Sequence, residues 1–250
     1  MSDDNNFYEA FWDQKSDGWS PQDKSISTLE RTLFIDNFPK GGLILDYGCG
    51  DGSHSGVCLK AEGFKYVGVD IAESALDACR KKTLEVVKFN ADFTIPIAGQ
   101  SADGVVCFEV MEHVFEPAKA LNEIARLLKP GCALVGSVPN VAFIGNRLLL
   151  LLGIFNPGGS PLTSLRRPWA DPHIRFFSCR ATKSFLEEGG FNNIVVMGAE
   201  FSFLYLPRLY KATGILRKLL SVIGKPIAWL GLKVPSMFSP RVYFVARKAH

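Results

Sequence analysis

The chain has 250 residues, 47% apolar, 21% charged and 12% aromatic, which is the composition of an ordinary globular protein and excludes a disordered, collagen-like or disulfide-framework chain. Its net charge of +3 hides a division: residues 1–139 carry 13 basic and 21 acidic side chains, residues 140–250 carry 15 and 4. The second half suits an anionic partner such as lipid headgroups or phosphates, unless the two halves are simply differently charged solvated faces.

Six cysteines without a C-x-x-C pair indicate neither a zinc ribbon nor a disulfide scaffold. The acidic start M-S-D-D-N-N lacks the basic and apolar regions of a signal peptide. The longest apolar run, 148–155, is far below the ~20 residues that span a bilayer. A cytoplasmic chain that does not cross a membrane is expected.

Residues 7–13 and 25–37 read as N-terminal helices, with Tyr8, Trp12 and Trp19 either packing or forming a lid. From 42 to 140, short apolar runs alternate with helical patterns, the signature of βαβ units and a parallel sheet. The first strand, 43–45, runs into Asp46 and the glycines 48, 50 and 52, and a helix over 53–62 stops at Gly63. A strand over 66–69 ends at Asp70 and is followed by a helix over 73–82; a third strand, 85–90, ends near Asp92. The fourth, 104–108, ends at Glu109, and a helix over 117–128 is closed by Lys129-Pro130-Gly131 before a fifth strand at 133–138. Beyond Asn140 the pattern predicts helices over 142–152 and 181–188, a loop over 156–167 and closing strands at 194–196 and 242–245. The expected fold is α/β: a Rossmann-like, doubly wound, seven-stranded sheet with an antiparallel last strand and a helical insertion before it. Residues 1–40 would form N-terminal helices over the site, 41–140 the ligand-binding core, and 141–250 the substrate side.

Asp46, Asp70, Asp92 and Glu109 all fall at C-terminal ends of successive predicted strands, the edge where open α/β sheets bind ligands. The glycines allow close backbone approach, and Asp70 is placed to accept hydrogen bonds from ribose hydroxyls. A nicotinamide dinucleotide fingerprint would need glycine at position 53, where the chain has Ser53, so the spacing is G-x-G-x-G and that match fails. Asp46 and Asp51 flank the loop with negative charge, which opposes a pyrophosphate and suits a ligand bearing an ammonium and a sulfonium, as in S-adenosylmethionine.

Five segments in order, I-L-D-Y-G-C-G-D-G-S (44–53), Y-V-G-V-D-I (66–71), F-N-A-D-F (89–93), A-D-G-V-V-C-F-E-V-M-E-H-V (102–114) and L-L-K-P-G-C-A-L (127–134), resemble the class I S-adenosylmethionine-dependent methyltransferases, in the group called type 11 or type 12. The resemblance implies that Gly48, Gly50 and Gly52 line the methionine part, Asp70 holds the ribose, Ile71 packs on the adenine, and Asp92 and Phe93 recognise the adenine edge and face. Asp46 and Phe108 complete the expected cofactor set.

Directly after the fourth strand, Glu109, Glu112 and His113 form E-x-x-E-H, a spacing that on a helix would put all three on one face. Such a cluster suits a general base near a substrate hydroxyl or ligands of a divalent Mg, Mn or Zn ion, unless it is structural. In ubiquinone-pathway O-methyltransferases and small-RNA terminal 2′-O-methyltransferases, which the segment resembles, a related motif binds metal. In the RNA enzymes a later H-x-[K/R]-F segment adds a histidine, and His173 in D-P-H-I-R-F-F-S (171–178) resembles it. Val114 stands where those RNA enzymes carry a second histidine, which weighs against nucleic acid. The expected catalytic or metal set is thus Glu109, Glu112, His113 and His173, with Arg166, Arg167, Trp169 and Arg175 as substrate contacts.

The segment 201–240 is apolar, basic and free of acidic residues. A helix over 209–223 would carry an apolar stripe with Lys211 and Lys218 on its flank, suited to an anionic membrane interface, a pocket cover or a dimer partner. Together these readings predict methyl transfer from S-adenosylmethionine, with O-methylation implied by the resemblance, to a small or lipid-linked acceptor such as a quinone, lipid or cell-surface saccharide precursor. The alternatives are an RNA 2′-O-methyltransferase and a non-catalytic cofactor-binding regulatory subunit.

Overall fold

A computed structural model describes residues 26–89, 94–155, 171–199 and 229–250. The apolar runs of the first half become five parallel strands: β1 (Leu43–Tyr47), β2 (Lys65–Asp70), β3 (Val86–Lys88), β4 (Ala102–Phe108) and β5 (Leu128–Pro139). The chain then adds β6 (Phe191–Gly198) and β7 (Arg241–Lys248), with β7 antiparallel to both β5 and β6. The order across the sheet is β3-β2-β1-β4-β5-β7-β6, as the sequence led us to expect of a doubly wound sheet.

The described helices are α1 (Thr28–Asn37), α2 (Gly56–Ala61), α3 (Glu73–Lys81), α4 (Pro117–Leu127), α5 (Ile144–Leu151), α6 (Cys179–Glu188) and α7 (Pro235–Phe238). Each face of the sheet has its own apolar cluster. On one, α4 buries Ala120, Leu121, Ile124 and Leu127 together with Leu186 of α6. On the other, Leu33 and Phe34 of α1 pack with Leu59 of α2 and Leu76 of α3. In α4 the buried positions recur at helical spacing behind Pro117 at the N-terminus, where a missing N–H costs nothing.

Among the boundaries that differ from the sequence reading, three have local reasons. The first crossover helix begins at Gly56, not Ser53, because the Ser53 N–H and hydroxyl bond to the Asp51 carboxylate at 3.2 and 3.1 Å and hold the chain in a turn. The helix does end ahead of Lys129-Pro130-Gly131, at Leu127, but these three residues already belong to β5, which starts at Leu128 rather than 133, and the register against β4 shifts between Ala102 and Gly104, with Gly131 at φ 74°. The N-terminal helix starts at Thr28, where Ser27 and Glu30 form a reciprocal capping box.

Several expectations lie outside the described residues: the helix over 7–13 with Tyr8, Trp12 and Trp19, the residues Asp92, Phe93, Arg166, Arg167 and Trp169, and the amphipathic helix over 209–223. Among the described residues, no helix is long and apolar enough to cross a membrane. All six cysteines are free thiols.

One side chain that sequence reading passed over ties the closing strands to the sheet. Asn140, buried after β5, donates from its amide to the carbonyls of Ser239 at 2.8 Å and Pro235 at 3.1 Å, and accepts from the Ala142 N–H at 3.0 Å. Asn140→Ala leaves these buried groups unpaired, and urea denaturation is expected to show a loss of about 2 kcal/mol of stability.

Candidate active site

The strand order reverses at β1, whose neighbours are β2 and β4, so a crevice opens beyond the C-terminal ends of β1 and β4, as in other open α/β sheets. The glycine loop begins at once after β1. The N–H groups of Gly48 and Cys49 both donate to the Val69 carbonyl, at 2.8 and 3.1 Å. Gly48 has φ 72°, and a Cβ there would lie 2.5 Å from Val110 in the turn after β4; only glycine meets both demands.

Asp70 ends β2 and is buried. Its carboxylate accepts the Gly50 N–H at 2.8 Å and the Ala72 N–H at 3.0 Å, so it organises the loop at the very place where a ribose is expected. Ile71 follows it, partly buried against the larger apolar cluster. Asp46, at the end of β1, is buried and accepts from the Tyr66 hydroxyl at 3.0 Å. Burial pushes its carboxyl up to about 7, against the opposing effect of the Tyr66 hydrogen bond. Asp51 is less of a free charge than its position in the sequence suggests, because the Lys82 ammonium lies 3.3 Å away. Phe108 packs against Phe34, His54 and Tyr243 with ring centroids 5.8, 5.4 and 6.4 Å apart, forming a wall on the α1 side.

The E-x-x-E-H segment is not the helix face that its spacing suggested. Glu109 has φ 53°, and the His113 N–H closes a turn on the Val110 carbonyl at 2.9 Å. The four expected residues consequently separate into two groups. Glu109 accepts from the Ser137 hydroxyl at 2.8 Å and pairs with the Arg241 Nε at 3.2 Å. Arg241 opens β7, and the neighbouring Glu109 carboxylate is the main influence holding its guanidinium charged.

Glu112, His113 and His173 form the second group. The Ile174 and Arg175 N–H groups donate to the Glu112 carbonyl at 2.9 and 3.0 Å, which carries His173 to the turn after β4. The His113 and His173 rings stack with centroids 4.6 Å apart. Their Nε2 atoms lie 3.9 and 3.8 Å from the same Glu112 Oε1. His113 Nδ1 is 3.1 Å from the Pro172 carbonyl and His173 Nδ1 is 2.6 Å from the Asp171 carboxylate, contacts that set each ring's orientation. Glu112 is only 1% exposed, and neither of its carboxylate oxygens has a hydrogen-bond partner among the described residues. Burial and the Glu109 charge push its carboxyl well above the usual range, while burial and the adjacent His173 push His113 down to about 4. One ligand atom from each of the three residues lies within 4.8 Å of the others. A buried carboxylate facing two imidazole Nε2 atoms needs a cation or a shared proton at its centre.

A family model described as a methyltransferase domain matches residues 22–196. The chain belongs to the methyltransferase domain family. It is a class I S-adenosylmethionine-dependent methyltransferase. The match takes in the glycine loop, Asp70 and all three residues of the Glu112 group. This methyltransferase is 31% identical over 149 residues to a ubiquinone biosynthesis O-methyltransferase of Coxiella burnetii, which covers 53% of this chain and 61% of the relative. It is 29% identical over 101 residues to a tRNA (carboxymethyluridine(34)-5-O)-methyltransferase of Mus musculus, covering 39% of this chain and 15% of the relative. The chain thus spans less than two thirds of the curated relatives it matches. In fold, it is similar to a SAM-dependent methyltransferase of Archaeoglobus fulgidus, with TM-score 0.60 and 21% identity over 97% of this chain and 100% of the other. It is likewise similar to phosphoethanolamine N-methyltransferase 2 of Haemonchus contortus, solved with S-adenosyl-L-methionine, with TM-score 0.58 and 15% identity over 99% and 57%.

Sequence reading missed two residues that the fold brings to this candidate site. Asp171 had a signal, a carboxylate two positions before His173, while Arg241 had none, because only the pairing of β7 with β5 brings it to Glu109.

Proposed function

We propose that this methyltransferase transfers a methyl group to a hydroxyl oxygen of a small or lipid-linked acceptor, with Glu112, His113 and His173 as the acceptor-side group. The observation that carries this reading is the convergence of the two Nε2 atoms on the buried Glu112 carboxylate, whose oxygens otherwise lack a hydrogen-bond partner among the described residues. One carboxylate with two imidazoles fits a borderline or hard divalent ion such as Zn²⁺, Mn²⁺ or Mg²⁺. Bound there, the ion would polarise an acceptor hydroxyl and lower its pKa. S-adenosylmethionine supplies the electrophilic methyl group.

The remaining steps belong to the chain's own residues. Asp171 fixes the His173 ring from behind, so we read it as a positioning residue. Glu109 and Arg241 neutralise one another beside the group and keep a fixed dipole at the end of β4. On the cofactor side, Gly48, Gly50 and Gly52 admit the methionine part, Asp70 takes the ribose hydroxyls, Ile71 packs on the adenine, and Asp46 faces the cationic head. Methyl transfer from a sulfonium depends mainly on in-line positioning and exclusion of water.

The Asp46 assignment has a calorimetric consequence. With its carboxyl near 7 in the free chain, a cation settling beside it favours the ionised form. Binding of S-adenosylmethionine at pH 6 is therefore expected to release close to one proton, and at pH 8 very little. Titrations in buffers of different ionisation enthalpy measure this release, and Asp46→Asn should abolish it.

The acceptor class is tested with methyl-labelled S-adenosylmethionine against lipid, quinone, saccharide-precursor and RNA fractions. Label is expected in an ether linkage within an organic-extractable fraction. Label confined to RNA would transfer the reading to a nucleic-acid 2′-oxygen, in line with the similarity to the tRNA enzyme.

A further inference from the structure

A surface beside this site is apolar where a water-facing surface is usually mixed. Helix α5, with the run Leu148–Leu151, contains no buried residue. Leu151 and Leu152 at its end are 82% and 74% exposed. The chain continues into exposed Phe155, whose ring meets that of exposed Phe176 edge-on at 5.8 Å. Two residues earlier, Ile174 is also exposed, and Arg175 stacks over Phe115, itself 65% exposed, at 5.4 Å. The ledge therefore runs without a break from α5 to Phe115, two residues from His113.

The charges around the ledge are mostly basic: its carboxylates Glu116 and Glu187 are paired with Lys119 and Lys183, and Arg147, Arg175 and Arg180 add positive charge. Residues 141–155 contain Arg147 as their only charged side chain, and residues 172–186 contain Arg175, Arg180 and Lys183 with no carboxylate. Arg147 and Arg180 are exposed. Exposed leucine and phenylalanine side chains with a net basic rim match a bilayer interface, where apolar side chains enter the acyl boundary and cations meet anionic headgroups.

We propose that the ledge formed by α5, Phe155, Phe176 and Phe115 docks this methyltransferase on an anionic lipid bilayer, with the Glu112 group facing the membrane surface. None of the residues that form it belongs to the segment 201–240. It gives the lipid-linked acceptor of the proposed function a route to the site and rests on that reading for its purpose alone; lipid binding is measured without turnover, so the two fail separately.

The test is co-sedimentation of the full chain with vesicles of phosphatidylcholine, with and without phosphatidylglycerol. Binding is expected only with phosphatidylglycerol, to weaken with salt, and to fall at least ~10-fold in the double variant Leu151→Ser/Leu152→Ser. Unchanged S-adenosylhomocysteine binding verifies that the variant is folded, and Arg147→Glu gives a second, charge-based variant with the same expected loss. Equal recovery in the supernatant with and without anionic vesicles would overturn the proposal. So would full vesicle binding by both variants, or a stable dimer that the double variant converts to monomer.

Discussion

Glu112→Gln is expected to lower the turnover of methyl transfer by ~10²–10⁴-fold while leaving S-adenosylhomocysteine affinity within about twofold. The substitution keeps the shape of a side chain that is almost fully buried but removes the carboxyl group on which His113 and His173 converge. A glutamine amide can even donate to an imidazole Nε2, giving a satisfied but inert cluster, so the fold should survive. Steady-state kinetics and cofactor calorimetry on the same preparation separate the two effects. Asp171→Asn is expected to act in the same direction but more weakly, ~10–100-fold, because it changes only the group behind His173. If both variants turned over normally, the group would be structural.

The second large effect falls on the cofactor. Asp70→Ala should weaken S-adenosylhomocysteine binding by ~10–150-fold, corresponding to the ~1.5–3 kcal/mol of hydrogen bonds made by a charged group. Two losses combine here. The ribose hydroxyls lose their acceptor, and the N–H groups of Gly50 and Ala72 lose the carboxylate that holds the glycine loop in place. Asp70→Asn separates them, since its amide oxygen retains one acceptor for the loop; an intermediate loss in calorimetry is the expected result.

The parallel half of the sheet was legible because each strand there is a short apolar run closed by glycine, proline or an acidic residue. Local signals of that kind need no knowledge of the rest of the chain. They also gave α3 and α4 nearly to the residue, since both helices are amphipathic and Pro117 marks the start of α4. The bulge at Gly131 was not legible: Lys-Pro-Gly reads as a stop signal, and only the pairing of β5 with β4 shows that the strand begins before it. At the site, the spacing of Glu109, Glu112 and His113 was misleading, since periodicity carries no information about the positive φ of Glu109. What redirects Glu109 is Arg241, 132 positions away in the sequence and delivered by β7. His173 was found because D-P-H-I-R-F resembles a known segment. Its stacking on His113 depends on the hydrogen bonds from Ile174 and Arg175 to the Glu112 carbonyl, which sequence does not encode locally.

The central claim is that Glu112, His113 and His173 act on the acceptor oxygen through a bound cation. Elemental analysis and methyl-transfer activity of the same full-length protein, before and after exhaustive chelation, test it most directly. The account predicts about one divalent ion per chain, activity that disappears with the ion and returns on adding Zn²⁺, Mn²⁺ or Mg²⁺, and no ion in a His173→Ala variant. Full activity in protein from which every divalent ion has been removed would contradict it.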